Sequence, residues 1–152
     1  MRFSKLNFPN IKLKTKLVSG MSEVFDVVRN KYVKLTPEEW VRQHCVHYLN
    51  KYKKYPFGLM AIEKVIKYNR ISVRADVVIY NNLAEPYMII ESKSPHINLS
   101  KETLYQVAKY NSKLCVKYLL LTNGILHFCC EVDYKNFTIN LLENIPDFNT
   151  TH

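Results

Sequence analysis

Apolar residues along the chain change spacing from period two to period three-to-four and back, and each change marks an element. Residues 10–18 (NIKLKTKLV) alternate polar and apolar, Ser19-Gly20 punctuates, and Val24 to Val33 is a second β-prone stretch, which predicts an N-terminal hairpin packed onto the rest of the chain. Thr36-Pro37-Glu38-Glu39 then signals a helix start, with Thr36 as cap, Pro37 in the first helical position and Glu39 where a capping box places its glutamate. Trp40, Val41, Cys45, Tyr48 and Leu49 recur at spacings of three and four, so the helix runs to about Lys51 with one buried stripe. Tyr55-Pro56 and Gly58 break it.

From Leu59 the pattern turns to strands. LMAIEKVIKY, SVRADVVIYN and YMIIESK, separated by turns at Asn69-Arg70 and around Asn81 to Pro86, predict an antiparallel three-stranded meander. Residues 100–113 return to helical period, with Ser100 as cap and Leu104, Val107 and Ala108 inward. The apolar run Val116 to Thr122 reads as a buried parallel strand reached by that helical crossover. After Asn123-Gly124, ILHFCCEV and NFTINLLE predict a terminal hairpin. The expected fold class is α/β in the order helix, three-stranded meander, helix, parallel strand. It forms one domain over residues 1–152, made of a β-rich extension (1–34), a core (35–124) and C-terminal strands with a tail (125–152).

Composition narrows the class. With 152 residues, 47% of them hydrophobic, and no internal repeat, the chain suits one ordinary globular core. Its apolar runs are far shorter than the roughly 20 residues of a membrane helix, and its start lacks a signal-like apolar segment, so no membrane association and a cytoplasmic location are expected. Cys45, Cys115, Cys129 and Cys130 form no CxxC pair, which argues against a disulfide framework and a zinc finger. His127 and Cys129 share a strand face, but no second pair completes a metal set, so a packed strand is the favoured reading. His44 and His47 read as helix-surface or edge residues. Ser92 and Ser94 lack a His/Asp relay nearby, which argues against a serine hydrolase.

The net charge of +9 points to polyanions, and it is unevenly placed. Residues 1–54 carry 12 basic and 4 acidic side chains, residues 55–117 carry 9 and 5, and residues 118–152 carry 1 and 4. The stretch from Tyr48 to Tyr55, with Lys51, Lys53 and Lys54, suits either a nucleic-acid backbone or a solvated helix end with snorkelling lysines. The acidic final segment is expected to face away from nucleic acid.

Within this background Asp76 and Glu91 stand out, because each interrupts an otherwise apolar strand and a carboxylate there needs a partner. Lys93 repeats Glu91's face two residues on. The pattern Asp, fourteen residues, Glu-x-Lys on adjacent strands makes an oxygen-rich site suited to Mg²⁺, with a lysine able to orient water or neutralise charge on a phosphodiester. The same spacing suits a plain ion pair between Lys93 and either acid. Gln106 and Tyr110 share one face of the following helix, separate from its core stripe. Glu39 could turn toward the cluster or serve only its cap. Arg74 and Lys64 could meet phosphates beside the site or be ordinary exposed basic residues, and Glu63 could face the site or form a cross-strand salt bridge.

TPEEWVRQ (Thr36 to Gln43), Arg74-Ala75-Asp76, Glu91-Ser92-Lys93-Ser94-Pro95 and Gln106-Val107-Ala108-Lys109-Tyr110 together resemble the amino-terminal nuclease domain of type I restriction endonuclease R subunits. More closely, they resemble the short stand-alone bacterial proteins named after that domain, within the PD-(D/E)XK nuclease superfamily. The resemblance spans roughly residues 23–146. It implies a restriction-endonuclease-like core and a Mg²⁺- or Mn²⁺-dependent nuclease acting on DNA. Asp76 and Glu91, with Ser92 between the motif residues, would be the metal set, Lys93 the catalytic lysine and Glu39 a helix-borne acid. Gln106 and Tyr110 would support the site and contact DNA, alongside Arg74 and Lys64. A homodimer or restriction and defence proteins are the partners it suggests. Ala75 stands where the superfamily name has proline, and the chain has no G-x-x-x-x-G-K-[ST] phosphate loop, so ATP-driven translocation is not expected of it. The alternative class is a non-catalytic DNA-binding or partner-docking module that keeps the fold.

Overall fold

The computed structural model describes residues 3–149 except Phe137, with the backbone but not the side chains of Tyr68 and Lys113. The predicted N-terminal hairpin is a three-stranded antiparallel sheet of β1 (Thr15–Val18), β2 (Met21–Asp26) and β3 (Lys31–Lys34). The stretch Val24 to Val33 is split by Asp26, whose Oδ1 accepts the backbone N–H groups of Val28 and Arg29 at 2.9 Å and closes a turn that Asn30 finishes at φ +53°.

The first helix, α1 (Pro37–Lys53), starts where the capping signal places it, with Thr36 Oγ1 accepting the Glu39 N–H at 3.1 Å. The Glu39 carboxylate does not close the capping box; it turns inward to arginines. Val41, Cys45, Val46 and Leu49 are buried as an apolar stripe, while Trp40 and Tyr48 are half-buried. Glu39, Arg42, Gln43 and His44 are buried too, so the first half of α1 is enclosed on nearly every side. His44 is therefore an interior residue, not the surface residue that its polarity suggested.

A six-stranded mixed sheet follows, in the order β4-β5-β6-β7-β8-β9. Its strands are β4 (Met60–Tyr68), β5 (Ile71–Tyr80), β6 (Pro86–Ser92), β7 (Tyr118–Thr122), β8 (His127–Asp133) and β9 (Thr138–Leu142). β4, β5 and β6 form the predicted meander. The helix α2 (Lys101–Asn111), capped by Ser100, carries the chain across so that β7 pairs parallel to β6. The terminal hairpin β8–β9 continues the same sheet, and Phe137, within the last predicted strand, lies outside the described residues.

Two apolar cores lie on the two faces of this sheet. Beneath α1, Cys45, Val46 and Leu49 meet Val77, Ile79, Met88, Ile90 and Leu120. Beneath α2, Leu104 and Ala108 meet Val78, Ile89, Leu119 and Leu121. The cysteines are free thiols, and burial pushes those of Cys45 and Cys129 up to about 12, which leaves them unreactive packing groups. The N-terminal segment straps across the α1 face. Trp40 Nε1 donates to Ser4 O at 3.0 Å, Asn7 N donates to Gly124 O, and Phe8 packs on Tyr48 and His127.

His127 is consumed by this strap: its ring nitrogens bond Thr122 Oγ1 at 2.7 Å and Asn7 O at 2.9 Å, so it is a packed strand residue. Burial depresses the pKa of His44, His47 and His127, with the His44 charge adding to the effect at His47. As pH falls below the ordinary histidine value of about 6.5, the unfolded chain takes up protons that the folded one refuses. Stability measured by urea unfolding is therefore expected to fall between pH 7 and 5, by at most about 1.4 kcal/mol per pH unit per histidine. Glu91, whose pKa is raised, opposes the trend. A His44→Gln variant that still folds should show a shallower drop.

Candidate active site

The pairing of β5 with β6 runs Ile79 to Met88, Val78 to Ile89 and Val77 to Ile90, and the next residues on the two strands are Asp76 and Glu91. There the ladder stops. The Ser92 N–H donates to Asp76 Oδ2 at 2.9 Å, and the Ser92 hydroxyl donates to the same oxygen at 3.2 Å. Ser92 is fully buried, so these two bonds hold one carboxylate oxygen in a fixed place and leave Oδ1 open. Lys93 continues along β7 through its backbone N–H to Thr122 O, and its Nζ donates to Glu91 Oε1 at 3.0 Å.

Burial and then the neighbouring Asp76 charge raise the Glu91 pKa, and the Lys93 ammonium only partly offsets them. Burial alone would lower Lys93, but the hydrogen bond and charge of Glu91, followed by Asp76, outweigh it and lift its pKa above the ordinary lysine value. Asp76, Glu91 and Lys93 thus form one electrostatic unit.

A second set of charges abuts this one. The Glu39 carboxylate accepts from Arg29 Nη2 at 3.0 Å and from Gln43 Nε2 at 2.9 Å, and Arg42 Nη1 lies 3.1 Å from its other oxygen. Arg42, only 4% exposed, also stands 3.4 Å from Glu38, 3.6 Å from Glu63 and 3.8 Å from Asp76 Oδ1. Glu39 therefore reaches the Asp76 cluster through Arg42. Glu63, which lies between the Ile62–Val77 and Lys64–Ala75 pairs of the β4–β5 register, adopts a left-handed φ of +51°. Its carboxylate meets Arg29, Arg42 and the exposed Arg74. The predicted cross-strand salt bridge is thus present. A cleft of about 500 Å³, lined by Lys34, Glu38, Glu39, Arg42, Glu63 and Ser94, opens beside the site.

Other proposed site residues lie further out. Gln106 and Tyr110 are exposed one turn apart on α2, and among the described residues no hydrogen bond or ion pair joins them to Asp76, Glu91 or Lys93. Lys64 is exposed on β4. The contact anticipated by the plain ion-pair reading, Lys93 to Glu91, is also present, so geometry accommodates both readings of that pair.

The sequence reading missed Asp26, Arg29, Arg42 and Gln43. Arg42 had a legible signal, standing three and four residues after Glu39 and Glu38 on one helix, the spacing at which side chains meet. Nothing local in the sequence marked Arg29.

Asp76, Glu91 and the oxygens of Ser92 are hard donors on adjacent strands, which fits a Mg²⁺-like ion that keeps several waters. Among the described residues, no three His, Cys, Asp or Glu side chains gather to enclose an ion by themselves. Beside the carboxylates stand one lysine and one buried arginine. Such a sheet end is suited to binding and polarising a phosphodiester.

The fold is thus a mixed α/β domain with an acidic cluster where β5 and β6 cease to pair. Residues 37–146 match the family model described as type I restriction enzyme R protein N terminus, and the chain belongs to that family. It is also similar in fold to a solved structure described as a fragment of an HsdR subunit of a type I restriction enzyme from Vibrio vulnificus YJ016. That likeness has a TM-score of 0.50 and 19% identity, and covers 74% of this chain and 24% of that one. This chain therefore spans about a quarter of that fragment. No curated protein matches it.

The support beneath the site can be tested separately. Asp26 is fully buried, and Arg29 Nε lies 2.6 Å from its Oδ2. Burial pushes the Asp26 pKa up, but the Arg29 backbone N–H and guanidinium more than reverse this, so it sits below the ordinary value. Arg29→Ala is expected to cost about 3 kcal/mol at pH 7 by stranding that charge. The low pKa contributes stability above about pH 4 and loses it below. The gap between wild type and variant in urea unfolding should therefore narrow toward pH 3.

Proposed function

We propose that this chain is a divalent-metal-dependent nuclease that hydrolyses DNA phosphodiester bonds, with its site at the diverging ends of β5 and β6. The observation that carries the reading is the union of Asp76, Glu91 and Lys93 in one electrostatic cluster, with Asp76 pinned by Ser92. Its family membership and basic charge support the same reading. A bound Mg²⁺ or Mn²⁺ would be held by Asp76 and Glu91, with the Ser92 backbone beside them, and would supply charge stabilisation and a more acidic water.

The protein's own groups have separable roles. Ser92 holds Asp76 Oδ2 so that Oδ1 stays presented. Lys93, with its raised pKa, carries a proton at neutral pH, so it acts as a fixed positive charge for oxygens that become more negative. Glu91 keeps that ammonium at 3.0 Å. Glu39 bears on the site through Arg42 and is not itself in contact with Asp76. Exposed Arg74, Lys64, Gln106 and Tyr110 lie outside the cluster and would be the residues that meet the nucleic-acid backbone or a partner protein, a second copy of the chain included. The reading invokes no ATP hydrolysis by this chain.

A non-catalytic DNA-binding or docking module is the second reading. It is favoured by the fact that each acid already has a protein cation, Lys93 for Glu91 and Arg42 for Asp76.

A cleavage assay on plasmid and linear duplex separates the two. With Mg²⁺ or Mn²⁺, the wild type should cut, while Asp76→Asn, Glu91→Gln and Lys93→Ala should each slow cutting by about 100-fold or more with DNA affinity retained. Salt-dependent binding without metal-dependent cutting, or cutting unchanged by Asp76→Asn and Lys93→Ala, would instead establish the binding module or a different site.

A further inference from the structure

Arg42 is poorly bonded for a buried guanidinium. Among the described residues its Nε and Nη1 are enclosed yet make no hydrogen bond, and its one side-chain hydrogen bond runs from Nη2 to Glu38 at a long 3.4 Å. It is retained by charge, among Glu38, Glu39, Glu63 and Asp76, rather than by directional contacts. Fully bonded buried arginines form planar forks with carboxylates, and this one does not. The contact with Asp76 is the loosest of the four, 3.8 Å, beyond hydrogen-bond reach. It falls on Oδ1, the oxygen that Ser92 leaves open. Lys93 differs in kind, being anchored to Glu91 at 3.0 Å.

We infer that Arg42 is a resident counter-ion for Asp76 that balances the open oxygen's charge from 3.8 Å and withdraws from it when a divalent cation enters. The inference rests on the metal-dependent reading above and adds a residue that sets how much cation the site requires. Three carboxylates remain to receive the guanidinium when it gives up Asp76, so the movement exchanges one acidic partner for others and strands no buried charge. Charge repulsion between Arg42 and the incoming ion opposes binding, so Arg42 acts as a positioning residue that raises the metal concentration at which the site fills.

Isothermal titration of the metal-free full chain with MnCl₂ alone tests this. Arg42→Gln should bind Mn²⁺ about tenfold more tightly than wild type. Arg42→Lys should stay near the wild-type value, and adding Asp76→Asn to Arg42→Gln should abolish the gain. A structural prop would not produce tighter binding when removed. Equal or weaker binding by a folded Arg42→Gln chain overturns the inference while leaving the metal site intact. If the wild type binds no Mn²⁺, the metal reading fails and this inference fails with it. Should Arg42→Gln not fold, arginine side-chain NMR of the wild type decides: the Arg42 Nε–H signal, identified by its loss in Arg42→Lys, should shift on saturation with Mg²⁺. A signal that does not move overturns the proposal.

Discussion

A network of enclosed charges that links the N-terminal sheet, α1 and the mixed sheet is the constraint on which this structure depends. Asp26 ends β2, Arg29 follows in the turn, Glu39 and Arg42 lie on α1, and Glu63 and Asp76 belong to β4 and β5. Local pairs, Asp26 with Arg29 and Arg42 with Glu39, are tied to each other across elements by the Arg29–Glu39, Arg29–Glu63, Arg42–Glu63 and Arg42–Asp76 contacts. A stranded buried charge costs several kcal/mol, so the N-terminal sheet, α1 and the mixed sheet cannot shift relative to one another without large loss. The N-terminal strands are thereby part of the site's support, although they contribute no residue to the Asp76 cluster.

The rest of the architecture leads to the same end of the sheet. α2 returns the chain so that β7 runs parallel to β6, and Lys93 N bonds Thr122 O just past the last paired residues. β6 is therefore held on its β7 side while its β5 side opens at Asp76, where a carboxylate takes the Ser92 N–H. The opening gives Asp76 and Glu91 room to keep charged heads at a partly buried edge. Apolar packing of Val77 and Ile90 beneath α1, and of Val78 and Ile89 beneath α2, fixes the strands on which those acids ride.

Much of this was legible because it is local. The Thr36 cap, the meander from β4 to β6, the Ser100 cap and the apolar β7 each rest on signals within a few residues. Asp76 and Glu91 were conspicuous because a carboxylate in an apolar strand is costly, and Lys93 because strand side chains repeat with period two. What was not legible came from distance. The inward turn of Glu39 looked like capping, since its N–H does bond Thr36 and only its side chain departs from the box. His44 looked like a surface residue because polarity alone cannot report that folding buries it beside Trp40.

By itself, then, the sequence determined the order of elements, the placing of Asp76 and Glu91 on adjacent strands, and the Glu-x-Lys spacing that puts Lys93 on the same strand face as Glu91. Those follow from backbone periodicity and short turns, which few residues specify. Tertiary structure alone decided that Arg29 would reach Glu39 and Glu63, that Arg42 would extend from its helix neighbours to Glu63 and Asp76, and that Ser92 would hold one oxygen of Asp76. The reason is physical: long charged side chains choose partners by what folding leaves within reach, and that proximity is set by packing between elements far apart in the chain.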